Sequence, residues 1–228
     1  MKKKRVKSPE EAVAPISDGA VVMVGGFGRA GVAEALTDAI CARGVRNLTI
    51  ISNNAGTADT GIAKLLMQGC VKKIICSYPR PGESGIFKQL FDAGKVELEL
   101  VPQGTLAERI RTAGAGLGGF LTKTAVGTEL ALGKQALTVD GRTYLLELPL
   151  RADFALVKGH KIDPWGNLTY RKAARNFNPV MATAAETVIV QAWEEVPLGA
   201  LDPECIITPG IYVDRYCIYN RPPAPGPM

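Results

Sequence analysis

The sequence predicts an α/β fold: an open, mainly parallel sheet with helices on both faces. Three observations carry that expectation. Residues 20–24 form an apolar run of strand length and β-branched content, followed by Gly25, Gly26, Gly28 and Gly31. Helical apolar spacing through Val32, Leu36, Ala39 and Ile40 comes next. Further short strand-like runs lie at 48–51, 72–76 and 97–101, with helical patterns between them. Strands alternating with helices at this pitch build parallel sheets covered on both sides.

In chain order, 9–14 reads as a short opening helix with Ser8 as its cap and Pro9 at its first position. After the strand, glycine turn and helix comes Gly44 as a stop, then the strand at 48–51. Residues 60–67 form a helix closed by Gly69, and 72–76 the third strand. A Pro- and Gly-rich loop, 78–85, precedes a helix at 86–93. The strand at 97–101 is followed by Pro102-Gln103-Gly104 and a helix at 105–112. From 113 to 133, glycines interrupt apolar residues with no clean period, which reads as a loop that contacts something. Strands are expected at 142–148, 154–158, 187–192 and 211–219, and Asp163-Pro-Trp-Gly-Asn167 is turn chemistry. No repeat or linker divides the chain, so one domain over 1–228 is expected, with flexible ends at 1–8 and 221–228.

The 228 residues suffice for a substantial core, and apolar and charged fractions of 46% and 21% are those of a soluble globular protein. Net charge is +5, yet Lys2, Lys3, Lys4, Arg5 and Lys7 concentrate it at one end. The remainder is close to neutral, so no nucleic-acid surface is implied, and the basic cluster reads as a solvated tail. Ser8-Pro-Glu-Glu follows it instead of an apolar stretch, which argues against a secretory signal. No apolar run reaches membrane-spanning length. Five scattered cysteines without a C-x-x-C pair argue against a metal cluster or disulfide framework, so a reducing, cytoplasmic compartment is expected. His160 is the single histidine.

The chemistry concentrates in the glycine turn. Glycines admit positive φ and close backbone approach, and a helix start favours an anion, so strand, glycine loop and helix can hold a phosphorylated ligand. Gly26-Phe-Gly28-Arg-Ala-Gly31 also matches the G-x-G-x-x-G dinucleotide fingerprint. That fingerprint needs a carboxylate near the end of the second strand, where this chain has Ser52-Asn53-Asn54. A nicotinamide-dependent oxidoreductase, a non-catalytic binding subunit, and a turn that merely packs helix on sheet are the alternatives. Asn53, Asn54, Gln103 and Gly104 follow strand ends, where ligands of parallel sheets gather; their other reading is turn capping. His160 and Trp165 read as a packed histidine and a surface-turn aromatic. Arg109 and Arg111 fall on different helix faces and make no phosphate clamp.

Five stretches together resemble a known family: DGAVVMVGGFGRAG, SNNAGTADTGI, VPQGTLAERIRTAGAGLGGFLTKTAVGT, LPLRADFALVKGHKIDPWGNLTY and ARNFNPVMATAA. They look like the alpha subunit of family I 3-oxoacid CoA-transferases, nearest in look to the acetate or butyrate:acetoacetate type, with oxoadipate enzymes next. The resemblance implies a CoA thioester as substrate, no permanently bound cofactor and no metal. It implies that the partner is a beta subunit, in an α2β2 heteromer. It further implies ping-pong transfer through a glutamyl-CoA thioester on that partner, with no catalytic residue on this chain. Glu83 is the nearest look-alike of the family's glutamate motif and reads instead as a carboxylate near a helix start. By resemblance, Gly25, Gly26, Phe27, Gly28, Arg29, Ala30 and Gly31 bind CoA, and Asn53, Asn54, Gln103 and Gly104 line the substrate pocket. Three positions depart from the family: Ala33 and Lys123 replace its usual prolines, and Ala125 its usual glycine.

Overall fold

A computed structural model describes residues 3–57, 59–79 and 85–220. Glu83 and the expected flexible end 221–228 lie outside them. Seven strands form one sheet: β1 (Val21–Val24), β2 (Leu48–Asn54), β3 (Val71–Tyr78), β4 (Glu97–Leu100), β8 (Ala152–Ile162), β9 (Ala185–Glu195) and β10 (Arg215–Ile218). Their order is β10-β9-β8-β1-β2-β3-β4, and every pair is parallel. The remaining strands, β5 (Phe120–Thr122), β6 (Ala136–Val139) and β7 (Arg142–Glu147), make a small antiparallel sheet in the order β5-β7-β6.

The helices divide between the faces as right-handed crossovers require. From β1 the chain steps outward to β4 through α2 (Glu34–Arg43), α3 (Ile62–Met67) and α4 (Ile86–Asp92), and these helices share one face with α1 (Pro9–Ala12). The other face carries α5 (Gln103–Gly114) and α6 (Asn178–Ala182), the latter on the reverse path from β8 to β9. Alternating strand residues feed the two layers. Val22, Val24, Leu48, Ile50 and Ile74 join the first core, whereas Met23, Ile51 and Ile75 join the second.

Because β1 leads one way across the sheet and β8 the other, their carboxyl ends meet at a topological switch point, the usual ligand crevice of such sheets. The glycine turn sits there.

Several expectations are corrected. The second strand runs through Asn54, so Asn53 and Asn54 end the strand instead of following it. Gln103 and Gly104 open α5, whose cap is Pro102, two residues before the expected start. The stretch 113–133 is not wholly irregular: it holds β5 and a 3₁₀ turn, Glu129–Ala131, because Phe120 to Thr122 find their pairing partners in β7, a neighbour remote in sequence. The expected strand at 211–219 splits into a 3₁₀ turn, Gly210–Tyr212, and β10. The basic end is not a free tail at Lys4 to Val6. Tyr216 donates its N–H to the Lys4 carbonyl at 3.0 Å, and its carbonyl accepts from the Val6 N–H at 2.9 Å. β10 is the edge strand, and its unpaired backbone groups recruit that segment.

Candidate functional site

Beyond Val24, the Gly25 N–H still reaches the Leu156 carbonyl of β8 at 3.1 Å, and then β1 stops. β8 continues, so the Lys158 N–H loses its strand partner. Asn178, fully buried at the start of α6, replaces it. Its Oδ1 accepts from Lys158 N at 2.9 Å, and its Nδ2 donates to Gly31 O at 3.0 Å and Ala174 O at 2.9 Å. One carboxamide thus ties β8 to the glycine turn as a further peptide would. Asn176 adds a clasp, its Nδ2 donating to Ala30 O at 2.9 Å.

This clasp explains two of the glycines. A Cβ at Gly25 would stand 2.1 Å from Asn178 Oδ1, and one at Gly31 would stand 2.6 Å from Ala174 O. Only Gly28, at φ +60°, faces open space among the four glycines of the turn. Phe27 and Ala30 exchange backbone hydrogen bonds at 2.9 and 3.1 Å, so Gly28 and Arg29 form the tip of a tight turn. Phe27 and Arg29 are exposed.

At the helix start, one of the free N–H groups is taken from within the chain. Two residues, Val32 and Ala33, separate the turn from α2. The Ala35 N–H is taken by Gln191 Oε1 of β9 at 3.0 Å, and Glu34 already places a carboxylate in the first turn. The cleft between the turn and 52–62 encloses about 10 Å³. That is room for about one water.

Beside the turn, β2, β3 and α5 converge in an uncharged polar cluster. Asn53 Oδ1 accepts from Gln103 Nε2 at 2.7 Å and from Ser77 Oγ at 3.0 Å. Asn53 is buried, whereas Gln103 and Gly104 are exposed at the carboxyl edge. Asn54 turns its Oδ1 to the Gly56 N–H at 2.9 Å, which is turn capping. The structure therefore brings Asn53 and Gln103 together with Ser77, a residue that carried no sequence signal.

The other singled-out residues have local duties. Arg109 pairs with Glu99 at 3.1 Å and Arg111 with Glu108 at 2.9 Å. Burial and then the nearby Lys161 and Arg171 charges hold the His160 imidazolium below its ordinary pKa. Trp165 is half-exposed on a turn whose Asp163 carboxylate accepts the Trp165 and Asn167 N–H groups at 3.0 and 2.9 Å. Lys123 sits 5.6 Å from the Tyr144 ring centre on the small sheet. Ala125 adopts φ +70°, a conformation suited to glycine. Among the described residues, no group of three or more His, Cys, Asp or Glu side chains could hold a metal ion, and no helix is long and apolar enough to cross a membrane.

A family model described as "Coenzyme A transferase" matches residues 6–216. The chain is 58% identical over 212 residues to the A-type subunit of 3-oxoadipate CoA-transferase from Pseudomonas putida, covering 93% of this chain and 92% of that one. It is 46% identical over 220 residues to the alpha subunit of acetate CoA-transferase from Escherichia coli K12, covering 95% and 97%. The oxoadipate relative thus exceeds the acetate relative, the reverse of the order their motifs suggested. Among solved structures, the acyl-CoA transferase YdiF of E. coli O157:H7, captured as a thioester complex with CoA, superposes with TM-score 0.82 at 25% identity. The match takes in 95% of this chain and 47% of that one. Glutaconate coenzyme A-transferase from Acidaminococcus fermentans shares the fold at TM-score 0.82 and 22% identity, with 94% of this chain and 75% of that chain covered.

Proposed function

The chain belongs to the coenzyme A transferase family, and we propose that it is the alpha subunit of a 3-oxoacid CoA-transferase that works by a ping-pong route. A beta-type partner supplies a glutamate carboxylate, which attacks the acyl-CoA carbonyl and displaces CoA thiolate to form a mixed anhydride. The thiolate then attacks the glutamyl carbonyl, releasing the donor acid and leaving a glutamyl-CoA thioester. The acceptor carboxylate runs the same steps in reverse to leave as its CoA thioester. This chain contributes the turn tip at Gly28 and Arg29, over which the CoA arm passes, and the neutral amides that orient the reacting carbonyl.

The observation that carries the reading is the Asn53–Ser77–Gln103 cluster beside the glycine turn at the carboxyl edge of the sheet. Uncharged donors suit an acyl carbonyl or a neighbouring carboxylate without neutralising it. Relatives that are themselves lettered subunits of larger enzymes agree with a separate partner, and an α2β2 assembly in the cytoplasm is the form proposed here. The relatives' names favour 3-oxoadipate over acetoacetate as the acid exchanged. The dinucleotide reading loses its basis, since β2 ends in Ser52, Asn53 and Asn54 and the family model spans the glycine turn.

The test is reconstitution. The purified chain alone is expected to be inactive. Co-expression with a beta-type partner is expected to give CoA exchange between succinyl-CoA and a 3-oxoacid, faster with 3-oxoadipate than with acetoacetate. Robust turnover by this chain alone refutes the division of labour.

A further inference from the structure

Ser77 is the next-to-last residue of β3, and Asn53 the next-to-last of β2. The register pairs Ser52 with Cys76 and Asn54 with Tyr78, so Asn53 and Ser77 are neighbours on adjacent strands, about 4.8 Å apart. Each stands two positions after a residue of the core beneath α5, Ile51 or Ile75, and therefore points to the same face. The sheet thus delivers a hydroxyl and a carboxamide to the place where α5 begins with Gln103.

The hydrogen bonds there are lopsided. Ser77 has one hydroxyl proton, shared between the Asn53 carbonyl at 2.9 Å and Asn53 Oδ1 at 3.0 Å. Gln103 Nε2 donates to the same Oδ1 at 2.7 Å. Both lone pairs of Oδ1 are thereby engaged. Among the described residues, by contrast, no acceptor meets Asn53 Nδ2. Asn53 is only 4% exposed, yet the fully enclosed side-chain polar atom left without a partner among the described residues is Thr112 Oγ1. Asn53 Nδ2 therefore keeps an opening, as the uncovered corner of a buried side chain.

Gln103 does not fix that orientation by itself. It is exposed, and its amide can turn over together with that of Asn53, keeping one hydrogen bond between them while Oδ1 takes the outward place. An outward oxygen repels the negative charge that develops on a reacting carbonyl, whereas an outward N–H stabilises it. The Ser77 hydroxyl sits on a strand inside the sheet, and its proton holds Oδ1 inward.

We propose that Ser77 is a positioning residue, whose hydroxyl grips Asn53 Oδ1 so that Asn53 Nδ2 faces the reacting oxygen. This rests on the transferase reading and adds to its site a residue that acts through Asn53.

The experiment uses the enzyme assembled with its beta-type partner. Ser77→Ala should lower kcat about 3–10-fold, the worth of one neutral hydrogen bond, with KM for the acyl-CoA changed by less than about twofold. Ser77→Thr, which keeps the hydroxyl on a side chain that suits a strand, should return kcat to near the parent value. In an Asn53→Ala background, Ser77→Ala should change kcat by less than about twofold, because the group it positions is gone. Independently of turnover, NMR with 15N-asparagine in the alpha chain reads the Asn53 carboxamide, assigned by its loss in Asn53→Ala. Its heteronuclear NOE should report a rigid amide in the parent and in Ser77→Thr, and a mobile one in Ser77→Ala.

An unchanged kcat in Ser77→Ala overturns the proposal. So does an equal loss in Ser77→Thr, which would exclude the hydroxyl as the cause, or an undiminished loss in the Asn53→Ala background. Failure of Ser77→Ala to assemble with the partner, read by size-exclusion chromatography, overturns it in favour of a role in folding. If the parent enzyme exchanges no CoA, the transferase reading fails and the NOE alone decides whether Ser77 anchors Asn53: equal rigidity in parent and Ser77→Ala overturns that anchoring, and a mobile amide in Ser77→Ala alone supports it.

Discussion

The tie between Gly25 and Asn178 supports a double-mutant test. In Gly25→Ala the new Cβ would lie 2.1 Å from Asn178 Oδ1 and 2.6 Å from its Cγ, well inside contact distance. Asn178 cannot swing aside freely, because it is fully buried and its carboxamide is held by four hydrogen bonds. Either the core strains, at about 1–3 kcal/mol, or the amide is displaced and leaves Lys158 N–H and Gly31 C=O unpaired, at about 1–3 kcal/mol each. The lower-energy route sets the cost, about 1–3 kcal/mol. Asn178→Ala strips the same partners and leaves a void, for about 3–5 kcal/mol. In the double variant the methyl group introduced at position 25 enters space that the amide has vacated, so its own cost nearly vanishes. Urea unfolding followed by circular dichroism should therefore show a coupling of about 2 kcal/mol, read as a double variant barely less stable than Asn178→Ala. Additivity within about 0.5 kcal/mol would show that the two sites do not touch. An unchanged midpoint for Gly25→Ala alone would equally refute the clasp.

Three further outcomes are expected. Gly28→Ala should lower the thermal midpoint by only about 2–4 °C, from about 1 kcal/mol of strain at φ +60°, while reducing kcat/KM for acyl-CoA; full activity at the lower midpoint would make the tip a turn and nothing more. Gln103→Ala in the assembled enzyme should cost about a hundredfold in turnover, or about 3 kcal/mol of barrier, with the heteromer intact. Unchanged turnover would remove Gln103 from the site. Ala125→Gly should raise the midpoint by about 1–3 °C, because relief of about 1–2 kcal/mol of left-handed strain outweighs glycine's unfolded-state entropy; a lower midpoint would contradict that conformational account.

Local regularities were legible from the chain alone. Apolar period and punctuation located the strands at 20–24, 48–51, 72–76 and 97–101, and Gly44, at φ +68°, ends α2 as the sequence indicates. Parallel order followed from the alternation of strand and helix, and the family followed from motifs spread along the chain. These properties depend on residues near one another in sequence, so a single pass can read them.

What escaped that pass depends on partners far away along the chain. β5 and β6 exist because β7 pairs with both, and Lys4 to Val6 are ordered by β10 from the opposite end of the chain. Ser77 joins Asn53 and Gln103 only because three strand and helix ends converge. The glycine turn shows the division most plainly. Its sequence announced close backbone approach and predicted a phosphate as the approaching group. Within the chain, the tertiary structure presses the Asn178 carboxamide against Gly25 and the Ala174 carbonyl toward Gly31, leaving Gly28 open. A glycine without a Cβ records that something comes near; which atom comes near is decided by chain folded in from 147 residues away, the separation of Asn178 from Gly31.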